Sequence, residues 1–209
     1  MFRAKCKLES MTAVSFSKEI QSERDEGETH GEFDERCWRE RLHVTSDGYV
    51  RIPIPMFKGA YFFAANLYEE KVAGNTKFKK FFQSGIQVIG KDIILPIKVD
   101  EVDSEKFSVP SDGVRGGNKR VPKRFPIISE WKGEIEVLVT NSVITKAAFK
   151  EVSFIAGMQV GVGRNRPGKG GNLGMFNFVE IEYINDYSDR ELKEIGAEGK
   201  GHPKLLKRT

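Results

Sequence analysis

An α+β fold is predicted for this chain by three observations. The opening segment alternates, with Phe2, Ala4, Cys6 and Leu8 on one side and Arg3, Lys5 and Lys7 on the other, the period of a half-buried strand. Two later stretches repeat apolar residues at three- and four-residue spacing, the period of a helix. Between them lie runs rich in β-branched residues, bounded by glycine, as in strands. The 209 residues are 39% hydrophobic and 31% charged, which suits one buried core and excludes a wholly disordered chain. No run of about 18 apolar residues is present, so no spanning helix is expected. Cys6 and Cys37 are too few for a disulfide framework, and Met1 to Lys7 lacks the apolar core of a secretory signal. A reducing, cytoplasmic location is therefore expected.

In chain order, the first strand is followed by a polar, acidic loop over 17–32. A short helix over 33–42 follows from Phe33, Cys37, Trp38, Arg41 and Leu42. Asp47-Gly48 marks a turn into a strand over 49–52. Pro53 and Pro55 introduce a helix whose inward face is expected to hold Met56, Ala60, Phe63, Ala64 and Leu67. The runs 83–89 and 93–99, parted by Gly90, read as a hairpin or one bent strand, and 106–109 as a further short strand. A basic glycine loop then runs from Asp112 to Arg124. Ile135, Val137 and Val139 alternate in the next strand. Thr145 is a plausible N-cap for a helix reaching about Val160. A second glycine loop covers 161–174, a strand covers 175–184 with Asn177, Val179, Ile181 and Tyr183 expected on one face, and a terminal helix is expected over 189–195. The larger elements therefore run βαββαβ, a ferredoxin-like, RRM-like order with both helices on one face of an antiparallel sheet. One domain is expected over 1–209, with 17–47 as an acidic and helical insertion and 185–209 as a basic tail.

The net charge of +4 conceals an asymmetry. Residues 1–50 hold eight cations against eleven acids, a net of −3, so the remainder carries +7. Gly113 to Arg124 contains Arg115, Lys119, Arg120, Lys123 and Arg124 and no acid. Val152 to Val179 contains Arg164, Arg166 and Lys169 and no acid. Both stretches are glycine-rich. Glycines let backbone amides approach an anion, and guanidinium forks match phosphate oxygens, so both loops are candidate phosphate contacts. The open sheet face would add Arg3, Lys5 and Lys7, and such sheets commonly host single-stranded RNA.

Other chemistry finds less support. Gly163 to Gly170 nearly matches a nucleotide-hydrolase phosphate loop. It has Gly170 where a magnesium-holding hydroxyl belongs, and a helix precedes it where a strand should. His30, Cys37 and His43 match no zinc spacing, and no nucleophile–base motif is present, so no metal, cofactor or enzymatic activity is expected. Phe176 and Phe178 would stack bases if exposed, but core packing is the commoner fate of such a pair.

Two segments carry a family resemblance. Arg51-Ile52-Pro53-Ile54-Pro55-Met56-Phe57-Lys58-Gly59-Ala60 is a strand-to-helix turn with a basic residue followed by Gly and Ala. Gly157 to Arg166, the glycine-rich turn and Gly174-Met175-Phe176-Asn177-Phe178 form a helix–loop–strand unit. Together they resemble the CRISPR-associated RAMP superfamily, in particular the backbone subunits that coat guide RNA. The match covers mainly 49–67 and 150–183. The resemblance implies single-stranded, guide-like RNA as partner, with Lys58 near it at the helix start and Arg164 and Arg166 on its backbone. It also implies neighbouring CRISPR effector subunits or further copies of the chain along the RNA. The sequence is similar as well to phage and prophage proteins. That leaves an alternative, a solitary member that mimics a backbone subunit and inhibits CRISPR immunity by protein contact.

Overall fold

The structure is a computed structural model, and it describes residues 1–111 and 119–186. Its strands are β1 (Phe2–Ser10), β2 (Val14–Ser15), β3 (Tyr49–Ile52), β4 (Lys71–Ala73), β5 (Thr76–Lys77), β6 (Ile86–Ile89), β7 (Ile93–Lys98), β8 (Asp103–Pro110), β9 (Arg120–Ile128), β10 (Lys132–Val139) and β11 (Phe176–Asp186). Its α-helices are α1 (His30–Cys37), α2 (Ile54–Leu67), α3 (Lys79–Gly85) and α4 (Lys146–Ile155). This is an α+β fold. The main sheet has the order β11-β1-β10-β6, with every neighbouring pair antiparallel. No helix is long and apolar enough to cross a membrane among the described residues. The expected terminal helix over 189–195, Arg115 and the basic tail beyond residue 186 lie outside them, while Asn185 and Asp186 belong to β11.

The alternation of β1 has the predicted consequence. Phe2, Ala4, Cys6 and Leu8 are buried, and the helices α2 and α4 pack on that face. Phe2 meets Phe149 of α4 edge-on with ring centroids 5.6 Å apart, and Phe57 of α2 meets Phe176 of β11 at 5.5 Å. Tyr61 of α2 stacks on Phe149, and its hydroxyl lies 3.0 Å from Ser153 Oγ, so the buried polar end is satisfied. Burial pushes the Cys6 thiol up to about 12, which leaves it unreactive at neutral pH.

The inward face of α2 is Ile54, Phe57, Ala60, Tyr61, Ala64 and Ala65. The expected Phe63 and Leu67 are instead exposed. Its first free amide, on Ile54, donates to Asp92 Oδ1 at 2.9 Å, and the same carboxylate pairs with Arg51. α4 is capped as predicted, with Thr145 Oγ1 accepting from the Ala148 amide at 3.1 Å. It continues as a π-helical turn over Ala156–Val160.

Three elements differ from the sequence reading. β6 and β7 do not form a hairpin: β6 edges the main sheet, while β7 pairs with β3 in a separate ribbon. Residues 79–85, in part assigned to a strand, are helical. Most of the 112–124 loop that is described is strand, since β9 begins at Arg120 and pairs with β8 along its length. Pro122 and Pro126 obscure this, because proline donates no ladder hydrogen bond. Arg124, which shares their parity along the strand, donates its amide to Asp34 Oδ2 at 2.6 Å. The amides on that side thus point away from β8, where proline costs no ladder bond.

Candidate nucleic-acid interface

The segment following α4 folds into a dense loop. Gly161, Gly163 and Gly174 have positive φ, and so does Asn165. A Cβ on Gly174 would collide with the Val162 carbonyl oxygen, and one on Gly163 with that of Ser15. Glycine is therefore required here for close backbone approach. The amides of Val162, Arg164, Gly171, Leu173 and Gly174 all donate to protein carbonyls, Arg164 to Ser15 at 2.7 Å and Gly174 to Ala13 at 2.7 Å. The expected cradle of free amides is largely consumed by the fold, so anion contact falls to side chains.

Those side chains border a cleft of about 290 Å³ between this loop, the first half of α2 and the chain after β2. Lys18, His43, Arg164 and Arg166 line it, with Gly59 and Met56 as the α2 wall and no carboxylate. Arg166 Nη1 donates to the Gly163 carbonyl at 3.1 Å, which orients its guanidinium. Arg164 lies over aromatic rings, its Cζ 3.6 Å from the Phe125 centroid and 4.6 Å from that of Phe107. Its Nη1 is buried and has no hydrogen-bond partner among the described residues. Burial and the neighbouring Arg41 lower its pKa below the usual guanidinium value. His43 is pulled below the ordinary imidazole value by burial, then by Arg51 and Lys18. A cleft lined by three cations and a histidine, with no carboxylate among them, is arranged for an anion.

The sequence-predicted residues are placed unequally. Arg164, Arg166 and Lys169 sit on the loop, Lys169 exposed, with Lys169 Nζ and Arg166 Cζ each 5.9 Å from the ring centroid of Phe63. Lys119 and Lys123 border a second cavity beside Lys18. Arg124 is engaged by Glu35 and Ser104, and Arg120 by Ser108. Lys58 donates to the carbonyls of Gln83, at 3.1 Å, and Ile86, where it caps the end of α3. Phe176 is buried and Phe178 packs against the core. Lys18 carries no signal in the sequence because it stands in an acidic stretch, and His43 is weighed there only as a metal ligand or catalytic group, not as part of a phosphate site.

The open sheet face departs furthest from expectation. Arg3 pairs with Glu136 at 3.0 Å, Lys5 with Glu134 at 3.0 Å and Lys7 with Glu180 at 2.6 Å. Its cations are compensated by neighbouring strands.

Fold and cleft together define an α+β protein with a small, acid-free cationic cleft. No family model and no curated protein sequence matches the chain. Among solved structures it is similar to a chain of the Type III-B Cmr-beta complex bound to cognate target RNA. The TM-score is 0.54 at 11% identity, over 88% of this chain and 61% of that one. The chain thus spans about three-fifths of the length of that relative, and the two share a fold. Lower-scoring likenesses are Cmr6 from Pyrococcus furiosus, with a TM-score of 0.40, 14% identity and cover of 85% and 99%, and a CRISPR RNA-guided surveillance complex, with 0.36, 8%, 94% and 82%.

Proposed function

We propose that this protein binds single-stranded RNA through its phosphate backbone, as a RAMP-like subunit that sits beside other subunits or copies on a guide-like RNA. The observation that carries this is the cleft lined by Lys18, Arg164 and Arg166 without a carboxylate. Guanidinium and ammonium groups without a competing carboxylate match phosphate oxygens. The strand order β11-β1-β10-β6, with α2 joining the first two core strands and α4 the last two, supports a ferredoxin-like core as its frame. The likeness in fold to a chain of an RNA-bound complex agrees with this reading. Binding here involves no cleavage.

Fluorescence anisotropy with a labelled single-stranded oligoribonucleotide tests the proposal. Three permanent cations give a slope of log affinity against log salt of about −2 or steeper. The Lys18→Ala/Arg166→Ala variant should bind at least about tenfold more weakly, with an unchanged melting temperature. No binding at low salt, a salt-independent affinity, or cleaved RNA after incubation would each refute the reading.

A further inference from the structure

A second cavity, of about 680 Å³, opens on the other side of Lys18, between the 18–34 segment and the β8–β9 hairpin. It is unlike the first. Its walls include Phe33, Val121, Pro122 and Ile20, which are apolar, and Lys18, Lys119 and Lys123 stand around it. Asp34, one of its two carboxylates, is already neutralised by Arg41 at 2.7 Å and by the Arg124 amide, which leaves Glu19 as its free acid. Lys18 borders both cavities. Arg164 of the first cavity and Arg41 of the second both lie over the Phe125 ring, at 3.6 Å and 4.7 Å.

Two neighbouring chambers that share one lysine, one cationic and acid-free, the other apolar with an ammonium rim, match the two halves of a nucleotide. A phosphate needs donors and positive charge, and a base needs a desolvated, partly aromatic slot. The volume is within the range of small-ligand sites. We infer that the cavity between the 18–34 segment and the β8–β9 hairpin accepts one unstacked nucleobase of the same strand whose phosphates occupy the cleft. Phe33 supplies the stacking surface, and Lys119 and Lys123 hold the flanking phosphates. The inference rests on the RNA reading above and adds a base-dependent component to a backbone-dependent affinity.

Abasic oligoribonucleotides separate the two components, since they keep every phosphate and lose the bases. At fixed salt, the protein should bind an ordinary oligoribonucleotide about tenfold more tightly than an abasic one of equal length. A 2-aminopurine placed in the strand should change its emission on binding. Phe33→Ala should abolish the preference for bases while retaining the salt slope. Val121→Trp, which fills the cavity from the strand side, should do the same if Phe33→Ala alters folding. Equal affinity for both oligomers, or a preference that survives both variants, would overturn the base site and leave the phosphate site standing. Failure to bind either oligomer would overturn both.

Discussion

The open face of the main sheet and the cleft beside the glycine loop both carry permanent cations. Arg3, Lys5 and Lys7 lie on the first, and Lys18, Arg164 and Arg166 on the second. On the sheet, cross-strand register sets Lys5 opposite Glu136 and Glu182, and Lys7 opposite Glu134 and Glu180, so four glutamates surround three cations. In the cleft the neighbours are glycines, aromatic rings and a histidine, and no carboxylate lines it. Basic residues on a strand say little about binding until the adjacent strands are known. A loop built from close backbone contacts excludes acidic side chains along with every other side chain, and its cations stay available.

That contrast can be broken most severely at the loop itself. Gly174→Ala forces a methyl group onto the Val162 carbonyl at a positive φ and should cost on the order of 3 kcal/mol or more. Calorimetry would register this as a fall in melting temperature of roughly 10 °C. A fully stable variant would show that the loop is not the rigid frame of the cleft. The next effect is the loss of RNA affinity in the Lys18→Ala/Arg166→Ala variant, to be set against Lys5→Ala/Lys7→Ala on the sheet. The sheet variant should change RNA affinity less than about twofold and leave the melting temperature nearly unchanged, since exposed, solvent-screened pairs contribute little. A large affinity loss there would move the binding surface to the sheet.

The smallest effect concerns His43. Its pKa is lowered in the folded protein, so the unfolded chain binds more protons than the folded one around the ordinary value of 6.5. This contribution to stability is present above 6.5 and declines as pH falls below it. The groups facing His43 are Lys18 and Arg51, which oppose its protonation, and Asp92, which favours it. A phosphate in the cleft would reverse the balance. Binding should therefore take up a proton on the acidic side of neutrality, and affinity should rise on acidification, whereas His43→Gln should show neither. Calorimetric titration in buffers of different ionisation enthalpy measures the uptake. Its absence would place the phosphates away from His43.

Several features were legible in the sequence because they depend on neighbours along the chain. The alternation of β1, the Thr145 cap and the acid-free loop around Arg164 and Arg166 are of this kind. The misreadings have physical causes. α2 is apolar nearly all round, so its period could not choose between the Phe63–Leu67 face and the Phe57–Tyr61 face. β11 carries an irregularity opposite Lys7 and Leu8, with Phe178 paired to Leu8 and Glu180 to Lys7. The extra residue shifts the alternation, so Phe178, Ile181 and Tyr183 all pack against the core. The prolines of β9 masked a strand whose side away from β8 they occupy.

By itself the sequence determined the α+β class, the inward face of the first strand and the segregation of acid-free cations into glycine-rich segments, since local spacing and composition fix these. Only the tertiary structure decided which cations are spent. Lys58 on the α3 carbonyls, Arg124 on Glu35 and the sheet cations on their glutamates are all consumed by partners remote in sequence. Lys18, from the acidic quarter, is delivered to the cleft instead. Charge compensation acts over a few ångströms of space, and the chain order of residues does not reveal which groups will share that space.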